Sequence, residues 1–234
     1  MQRFPTTAGG GQPRGYAIPK FTPASAESLT GSGPSRVAAV MLAAGRGSRF
    51  GGEVPKPLAR FGRRSLIGHA VAAASASGLR PVVVVVGYRG DEVAGSAGTL
   101  AEIVENPDWE EGMATSLRAA LAAVMPDPNV SAVAVALADQ PRVGAESYRR
   151  LVAAHREGAG LAVATYDGER GHPVLIGREH WTEAMKLEGD EGARSLLERY
   201  PVVGVPCDGT GDAVDVDTPD DLAALESNSK QLGS

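Results

Sequence analysis

The chain has few of the features expected of an exported or membrane protein. Of its 234 residues only Cys207 is a cysteine, so no internal disulfide can form, which fits a reducing compartment. The all-valine run 82–86 is far shorter than the roughly 20 apolar residues of a membrane span. The first residues also lack the apolar stretch of a secretion signal. We therefore expect a cytoplasmic protein with no membrane partner.

A net positive charge is missing as well. The formal charge is −5 at pH 7, which gives no electrostatic basis for general nucleic-acid binding. A hydrophobic content of 43% and a charged content of 22% are typical of a globular protein, and the length suffices for one substantial α/β domain. An anionic ligand must therefore meet local positive charge, and six basic residues surround one loop: Arg46, Arg49, Lys56, Arg60, Arg63 and Arg64.

That loop lies in residues 37–58, VAAVMLAAGRGSRFGGEVPKPL, where an apolar run ends in a Gly-rich turn. Glycines let backbone N–H groups approach phosphate oxygens, and Arg46, Arg49 and Lys56 supply positive charge. The pattern predicts a nucleoside triphosphate site. The alternative is a Gly-rich turn between a strand and a helix, with solvated arginines.

Two commoner phosphate loops do not fit this segment. A Walker A loop needs Lys followed by Ser or Thr after its last glycine, but Glu53 and Val54 stand there. A dinucleotide fingerprint needs GxGxxG, and Gly51 comes one place too late. The next predicted strand ends in Gly87 and Tyr88, where that fingerprint would have an acid.

The rest of the chain alternates short apolar runs with helical segments, after a Gly-, Pro-, Ser- and Thr-rich beginning. We expect a disordered extension over 1–35 that is dispensable for catalysis, one domain over 36–226 and a frayed tail over 227–234. Strands are predicted at 37–42, 81–87, 102–104, 132–138, 161–165, 202–205 and 213–216. Helices are predicted at 65–77, 114–124, 146–157, 178–187, 191–199 and 219–226. This alternation predicts a doubly wound α/β fold with a mainly parallel, Rossmann-like sheet.

Acidic residues end two of the predicted strands. Asp139 follows the run 132–138, and Asp215 and Asp217 end the run 213–216, where they would share one face of the strand. Parallel sheets bind ligands at the carboxyl ends of their strands. Two carboxylates there can hold one Mg²⁺ together with phosphates and water, so we predict Asp139 and Asp217 as metal ligands. The alternative is that these acids cap helices or are solvated in loops.

Three further segments could contact a ligand. Residues 106–116 form a loop that leads into a helix, whose N-terminal end suits phosphate. Residues 171–173 and 189–194 are predicted as loops that carry a histidine and a Gly-Asp pair. Each of them, taken alone, is also explained as an ordinary turn or helix cap.

Together the segments resemble a known family. LAAGRGSRFGG followed by KPL resembles the nucleotidyltransferase superfamily. The order of motifs along the whole chain is similar to that of the molybdopterin cytidylyltransferase family. The loop is followed by Asn-x-x-Trp-x-x-Gly-Met-x-x-Ser, Asp-Gln-Pro, Gly-His-Pro-Val-Leu, Gly-Asp-x-Gly-Ala-Arg and Asp-Val-Asp-Thr-Pro-x-Asp-Leu. The resemblance covers residues 37 to about 225. It implies Mg²⁺-dependent transfer of CMP from CTP to the terminal phosphate of a phosphorylated pterin cofactor.

The resemblance also implies roles for individual residues. Arg49, Lys56, Asp139 and Asp217 would be catalytic, with Asp139 and Asp217 holding the metal and Arg49 and Lys56 stabilising the departing pyrophosphate. The nucleotide would be bound by Leu42, Ala43, Ala44, Gly45, Arg46, Gly47, Arg49, Lys56 and Gly87. The pterin side would be lined by Asn106, Ser116, Gly171, His172 and Pro173. A recipient molybdoenzyme is a further expected partner.

Some positions depart from the family pattern and keep other functions open. Gly47 stands where the family often has Ser, Phe50 where it often has Met, and Lys56-Pro57-Leu58 is nearer to the sugar-nucleotide pattern. The alternatives are a guanylyltransferase that uses GTP with the same cofactor, a sugar-phosphate or other small-phosphate nucleotidyltransferase, and a non-catalytic cofactor carrier. Ala44 favours the cytidylyl branch, since guanylyl relatives more often have Gly there.

Overall fold

The structure, a computed structural model, describes residues 35–51 and 54–232, except for the side chains of 229–232. Residues 1–34 lie outside it, so the disorder and dispensability of the extension stay predictions. The strands are β1 (Arg36–Ala43), β2 (Arg60–Phe61), β3 (Arg64–Ser65), β4 (Val82–Val86), β5 (Glu102–Glu105), β6 (Val130–Leu137), β7 (Leu161–Tyr166), β8 (Glu169–Gly177) and β9 (Val203–Pro206). The helices are α1 (Leu66–Ala76), α2 (Gly90–Ala97), α3 (Met113–Val124), α4 (Ala145–Arg156), α5 (Trp181–Ala184), α6 (Ala193–Arg199) and α7 (Pro219–Leu232), with 3-10 turns at Lys56–Leu58, Trp109–Glu111 and Arg178–His180.

The main sheet has seven strands in the order β5-β4-β1-β6-β8-β7-β9. The strands β5, β4, β1 and β6 run parallel to one another, and β7 runs parallel to β9. Only β8 is antiparallel to its neighbours in this sheet. The predicted doubly wound, mainly parallel sheet is therefore confirmed.

The sheet is covered on both faces, which explains its continuous apolar strands. Successive side chains of a strand point to opposite faces. In β4, Val82, Val84 and Val86 belong to the apolar cluster that also contains residues of α1 and α2, and Val83 and Val85 belong to the cluster on the opposite face with residues of α3. All five valines are buried, as expected for a strand inside a parallel sheet.

The antiparallel strand β8 was not predicted, and residues 171–173 lie in it and not in a loop. The glycine and proline there suggested a break in structure. The break exists locally, because the ladder between β7 and β8 shifts register between Val163 and Thr165. Val174 is paired on both sides, with Val135 of β6 and Val163 of β7, and the pairing resumes at Arg170. A proline without an N–H group is tolerated at such an irregularity.

Residues 213–216 were predicted as a strand, and this is wrong. Their backbone bonds to the loop after β6, where Val216 donates to the Asp139 carbonyl at 3.0 Å. Asp215 and Asp217 therefore do not share a strand face. The helix α2 was missed because its glycines have low helix propensity. The last helix reaches Leu232 and not residue 226.

Four parallel strands end at one edge of the sheet, which is where such sheets bind ligands. The strands β1, β4, β5 and β6 all end at the same edge, followed by the Gly-rich loop, Gly87, Asn106 and Asp139 respectively. Backbone bonds join the segments after the strands, with Tyr88 donating to Ala44 O at 2.9 Å and Asn106 to Val86 O at 2.8 Å. In the described part of the chain, no helix is long and apolar enough to cross a membrane.

Candidate active site

A cavity of about 350 Å³ opens at this edge of the sheet. One wall is the Gly-rich loop, whose predicted nucleotide-binding residues line it from Leu42 to Gly47 together with Lys56. Asp139 and Ser116 also line it. The remaining wall contains residues to which the sequence analysis gave no role: Trp109, Glu110, Gly112, Met113 and Asp190. The motifs that contain them were noticed, but a motif does not tell which of its side chains faces a cavity.

The Gly-rich loop is shaped around Lys56. Gly47 has φ +64°, and a Cβ at this position would lie 2.6 Å from the Lys56 Cβ. A side chain here would be strained and would collide with Lys56, so glycine lets the loop close over the lysine. Arg46 stacks its guanidinium 5.0 Å from the centre of the Tyr88 ring, at the end of β4. This contact fixes a positive charge beside the cavity.

Lys56 joins the two predicted metal-binding acids. Its Nζ donates to Asp139 Oδ2 at 2.5 Å and to Asp217 Oδ1 at 2.7 Å. Arg49 Nη1 lies 2.9 Å from Asp217 Oδ2. The structure thus brings all four predicted catalytic residues into one charged cluster. Lys56 is largely buried with 11% of its side chain exposed, whereas Arg49 is 79% exposed.

The electrostatics of this cluster favour its charged forms. Burial pushes the pKa of Lys56 down, but Asp139 and Asp217 outweigh this effect and hold the pKa above its ordinary value. The hydrogen bond from Lys56 lowers the pKa of Asp217, although partial burial acts against it. Partial desolvation of its carboxyl raises the pKa of the neighbouring Asp215; the hydrogen bond from Gln140 opposes this effect, and the charges of Asp139 and Asp217 add to it.

The acids fit a hard divalent cation. The second carboxylate oxygen of Asp139, Oδ1, is buried and has no hydrogen-bond partner among the residues that the structure describes, so it is free to coordinate an ion. Carboxylate oxygens are the ligands that Mg²⁺ prefers, and this ion usually takes only one or two from a protein. Within 35–51 and 54–232 there is no cluster of three or more potential ligands, so substrate phosphates and water would complete the coordination.

The predicted pterin-side residues fall into two places. Asn106 is buried, and its Nδ2 donates to Thr115 Oγ1 at 2.8 Å and to Ser116 Oγ at 3.0 Å. Its Oδ1 accepts from the Asp108 amide at 3.1 Å. The amide of Asn106 therefore shapes the turn before α3, and Ser116 is the member of this network that lines the cavity. Direct contact of either residue with an acceptor stays a prediction.

Gly171, His172 and Pro173 lie in β8 outside the cavity wall. Burial lowers the pKa of His172 to about 4; the Arg194 charge acts in the same direction and Asp139 opposes it. The imidazole is therefore neutral near pH 7. The Tyr166 hydroxyl donates to the His172 carbonyl at 2.9 Å and holds this part of the strand.

Gly87 also lies outside the cavity wall, at the end of β4. A Cβ at this position would lie 2.7 Å from Trp109 Cβ and Cγ. Glycine therefore lets the Trp109 ring lie against the strand end and form part of the cavity wall. The predicted contact of Gly87 with the nucleotide stays a prediction.

Known proteins resemble this chain over most of its length. Nicotine blue oxidoreductase of Paenarthrobacter nicotinovorans is 33% identical over 199 residues, which cover 81% of this chain and 96% of that protein. The molybdenum cofactor cytidylyltransferase of Escherichia coli is 27% identical over 60% of this chain and 71% of that enzyme. Bifunctional GlmU proteins match as well, but the matched region covers only 30% and 34% of two of them.

Solved structures share the fold. A homologue of Mycobacterium tuberculosis Rv0371c from Mycobacterium sp. strain JC1 is 32% identical, with a TM-score of 0.74 over 85% of this chain and 99% of that one. Rv0371c itself, in complex with manganese, is 28% identical with a TM-score of 0.69 over 83% of this chain and 100% of that one. A family model described as the MobA-like NTP transferase domain matches residues 39–203. This match spans more than half of the chain, which therefore belongs to the MobA-like NTP transferase family of nucleotidyltransferase enzymes.

Proposed function

We propose that the protein transfers CMP from CTP to the terminal phosphate of a molybdopterin-type cofactor and releases pyrophosphate. The observation that carries this proposal is the cluster in which Lys56 joins Asp139 and Asp217 beside the Gly-rich loop. The Escherichia coli relative, a molybdenum cofactor cytidylyltransferase, supports the choice of base and acceptor. The order of motifs along the chain supports it independently. Cytoplasmic location and a recipient molybdoenzyme belong to the same proposal.

The chemistry needs little beyond positioning and charge. A phosphate monoester has its second pKa at about 6, so the acceptor is mostly dianionic near pH 7 and needs no general base. The low pKa of His172 agrees with this, because an imidazole with a pKa of about 4 is a weak base and lies outside the cavity wall. The site must hold the acceptor in line with the α-phosphate and stabilise the pyrophosphate that leaves.

The residues divide this work as follows. Asp139 and Asp217 would hold Mg²⁺, and the ion would supply positive charge that stabilises the phosphates of the reacting centre. The Gly-rich loop offers backbone N–H groups to the triphosphate, and Arg49 and Lys56 stabilise the departing pyrophosphate. Lys56 bonds Asp139 Oδ2 and Asp217 Oδ1, so a metal ion that took either of these oxygens would compete with the ammonium group for it. The manganese complex of Rv0371c supports a divalent metal in this family.

The base is read at the Gly-rich loop in this proposal. Ala44 is buried and lines the cavity, and its Cβ leaves less room than a glycine would. We expect a higher kcat/KM for CTP than for GTP, by roughly 10–200-fold, because steric fit alone supplies about 1–3 kcal/mol. The test is pyrophosphate release with a purified molybdopterin-type acceptor and each of the four triphosphates. A preference for GTP would contradict the cytidylyl assignment and keep nucleotidyl transfer.

A redox activity is the second candidate, because nicotine blue oxidoreductase matches over 96% of its length. The Gly-rich loop lacks the dinucleotide spacing, which favours nucleotidyl transfer. The same protein preparation is to be tested with nicotine blue and a nicotinamide reductant, followed by visible absorbance. Reduction of the dye, without pyrophosphate release from any acceptor, would replace the main proposal. Activity on a sugar phosphate alone would move the protein to the sugar-nucleotide branch.

A further inference from the structure

Gln140 follows Asp139 directly and has a buried side chain to which the proposed chemistry gives no role. Only 4% of the residue is exposed. Its Nε2 donates to the Ala213 carbonyl at 3.2 Å and to Asp215 Oδ1 at 2.9 Å. A carbonyl can only accept, so the nitrogen of the amide has to face this segment. Among the described residues, the buried amide oxygen has no hydrogen-bond partner, so the hydrogen bonds of this side chain are the two that its nitrogen donates.

The segment that Gln140 holds has no regular secondary structure of its own. Residues 211–217 run as irregular chain between β9 and α7. One backbone bond, from the Val216 amide to the Asp139 carbonyl at 3.0 Å, brings the next residue, Asp217, beside Asp139. Because the segment is not paired with a β-strand, the position of Asp217 depends on a few such hydrogen bonds. Gln140 makes two of them, immediately before Val216 in the chain.

We propose that Gln140 is a positioning residue for the metal-binding pair. Its buried amide fixes residues 213–215, so that the Val216 bond forms and the Asp217 carboxylate is held next to that of Asp139. This inference rests on the proposed function, in which Asp139 and Asp217 hold a divalent cation. It adds that the separation of the two acids is set by a neutral side chain that touches neither the metal nor the substrate.

A matched control lies in the same segment. Arg142 Nε forms an ion pair with Asp212 Oδ2 at 3.0 Å, farther from Asp217, and both side chains are partly exposed. Arg142→Ala loosens the beginning of the segment and leaves the Gln140 contacts in place. If Gln140 acted only by general stabilisation of the segment, both variants would change metal binding alike.

The test is Mn²⁺ binding by the full chain, followed by the loss of the free-ion signal in electron paramagnetic resonance. Gln140→Met keeps the length and volume of the side chain and removes both donated bonds. We expect its Kd for Mn²⁺ to rise at least tenfold, whereas that of Arg142→Ala stays within twofold of the wild type. Equal Kd values for wild type and Gln140→Met, or an equal rise in both variants, would overturn the proposal.

Hydrogen exchange at the Val216 amide gives a readout that involves no metal. It should be several-fold faster in Gln140→Met and unchanged in Arg142→Ala. If Gln140→Met does not fold, Asp215→Ala removes one of the same hydrogen bonds from its exposed partner. Faster exchange of Val216 is expected there too, and unchanged exchange would overturn the proposal.

The two proposals fail in different ways. A wild-type protein that binds Mn²⁺ through Asp139 but transfers no nucleotide would contradict the proposed function and leave the role of Gln140 to be decided by the comparison above. A wild-type protein that binds no Mn²⁺, or binds it equally well after Asp139→Ala, would overturn the role of Gln140, because no metal site would exist for it to position.

Discussion

The two halves of the cavity are built in opposite ways. The half proposed to hold phosphate is charged and comes from distant parts of the chain, since Lys56 bonds acids that lie 83 and 161 positions away. The half proposed to face the acceptor is supported by a neutral and local network, in which Asn106 bonds partners 9 and 10 positions away and Ser116 lines the cavity. The carboxylates of Asp139 and Asp217 remain partly exposed around the largely buried Lys56, whereas Asn106, Thr115 and Ser116 are buried.

Because of this difference, substitutions in the two halves should affect activity and stability to different extents. Charged groups at a partly exposed site are solvated when a partner is lost, so their removal costs little stability but removes the charge that the reaction needs. Buried hydrogen-bonded groups have no water to replace a lost partner, so their removal destabilises the fold. We therefore expect variants of the phosphate half to lose activity first, and variants of the acceptor half to lose stability first.

The largest effect is expected for Asp139→Ala. Turnover should fall on the order of 10³-fold, because loss of one preorganised electrostatic group at a reacting centre costs about this much. The melting temperature should change little. Pyrophosphate release and thermal unfolding of the same preparation check both statements. A variant that keeps more than about a tenth of wild-type activity, a loss of at most about 1.4 kcal/mol, would show that Asp139 is not the metal ligand.

Lys56→Met should separate two roles of one residue. Turnover should fall about 10²-fold, since the leaving pyrophosphate loses a positive charge. Mn²⁺ affinity without nucleotide should rise about tenfold, or 1.4 kcal/mol, because the ammonium no longer occupies Asp139 Oδ2 and Asp217 Oδ1. Arg49→Ala is the control. Arg49 lies against Asp217 Oδ2 and not against the two oxygens that Lys56 bonds, so this variant should change Mn²⁺ affinity less. Weaker Mn²⁺ binding by Lys56→Met would contradict this competition.

Asn106→Ala should affect the other half of the site. Its loss removes the hydrogen bonds to Thr115 Oγ1 and Ser116 Oγ and the one accepted from the Asp108 amide, which should lower the free energy of unfolding by about 1–3 kcal/mol. Thr115 Oγ1 keeps its bonds to the carbonyls of Asp108 and Gly112. Denaturant unfolding measures this change. At a temperature where the variant is folded, kcat should fall less than in Asp139→Ala. A large loss of kcat with unchanged stability would mean that Asn106 contacts the acceptor directly and that the two halves work alike.

His172 should make a smaller contribution, visible as a dependence of stability on pH. Burial lowers its pKa from 6.5 to about 4, so the unfolded chain takes up the proton first as the pH falls. The stabilisation is complete above pH 6.5 and is lost progressively towards pH 4. His172→Gln removes this titration, so its melting temperature should fall less between pH 7 and pH 5 than that of the wild type. Parallel pH profiles would show that His172 is not held neutral by the fold.

Features of the fold that depend on local sequence were easier to predict than those that depend on distant contacts. The Gly-rich loop after β1, the buried parallel strands and the acid after β6 lie where the sequence placed them, because each position depends on a short stretch of chain. The ligand-binding roles of the loop and the acid stay predictions. Residues 213–216 were predicted wrongly as a strand, because their partner is a loop about 75 positions away and their own pattern of apolar residues suggests a strand. The strand β8 was missed because Gly171 and Pro173 mark its irregular part, and its regular part, 174–177, is short.

Site geometry was accessible only in part. The sequence placed both Asp139 and Asp217 at strand ends, although the described chain has no strand directly before Asp217, and nothing in the sequence showed that Lys56 lies between them. The cavity-lining role of Asp190 could not be foreseen either. It depends on the close approach of Gly189 to Gly112, where an added Cβ would lie 2.3 Å from the Gly189 carbonyl. The signal in the sequence was Gly112 itself, whose φ of +112° marks a position that favours glycine.

The most direct test of the central claim follows the phosphorus atoms of CTP. The protein is incubated with Mg²⁺, a purified molybdopterin-type acceptor and CTP labelled at either the α- or the γ-phosphate. The account predicts that the α-label appears in the cofactor and the γ-label in pyrophosphate, with both transfers absent in Asp139→Ala. Transfer of the γ-label to the acceptor, or acceptor modification without either label, would contradict nucleotidyl transfer by this site.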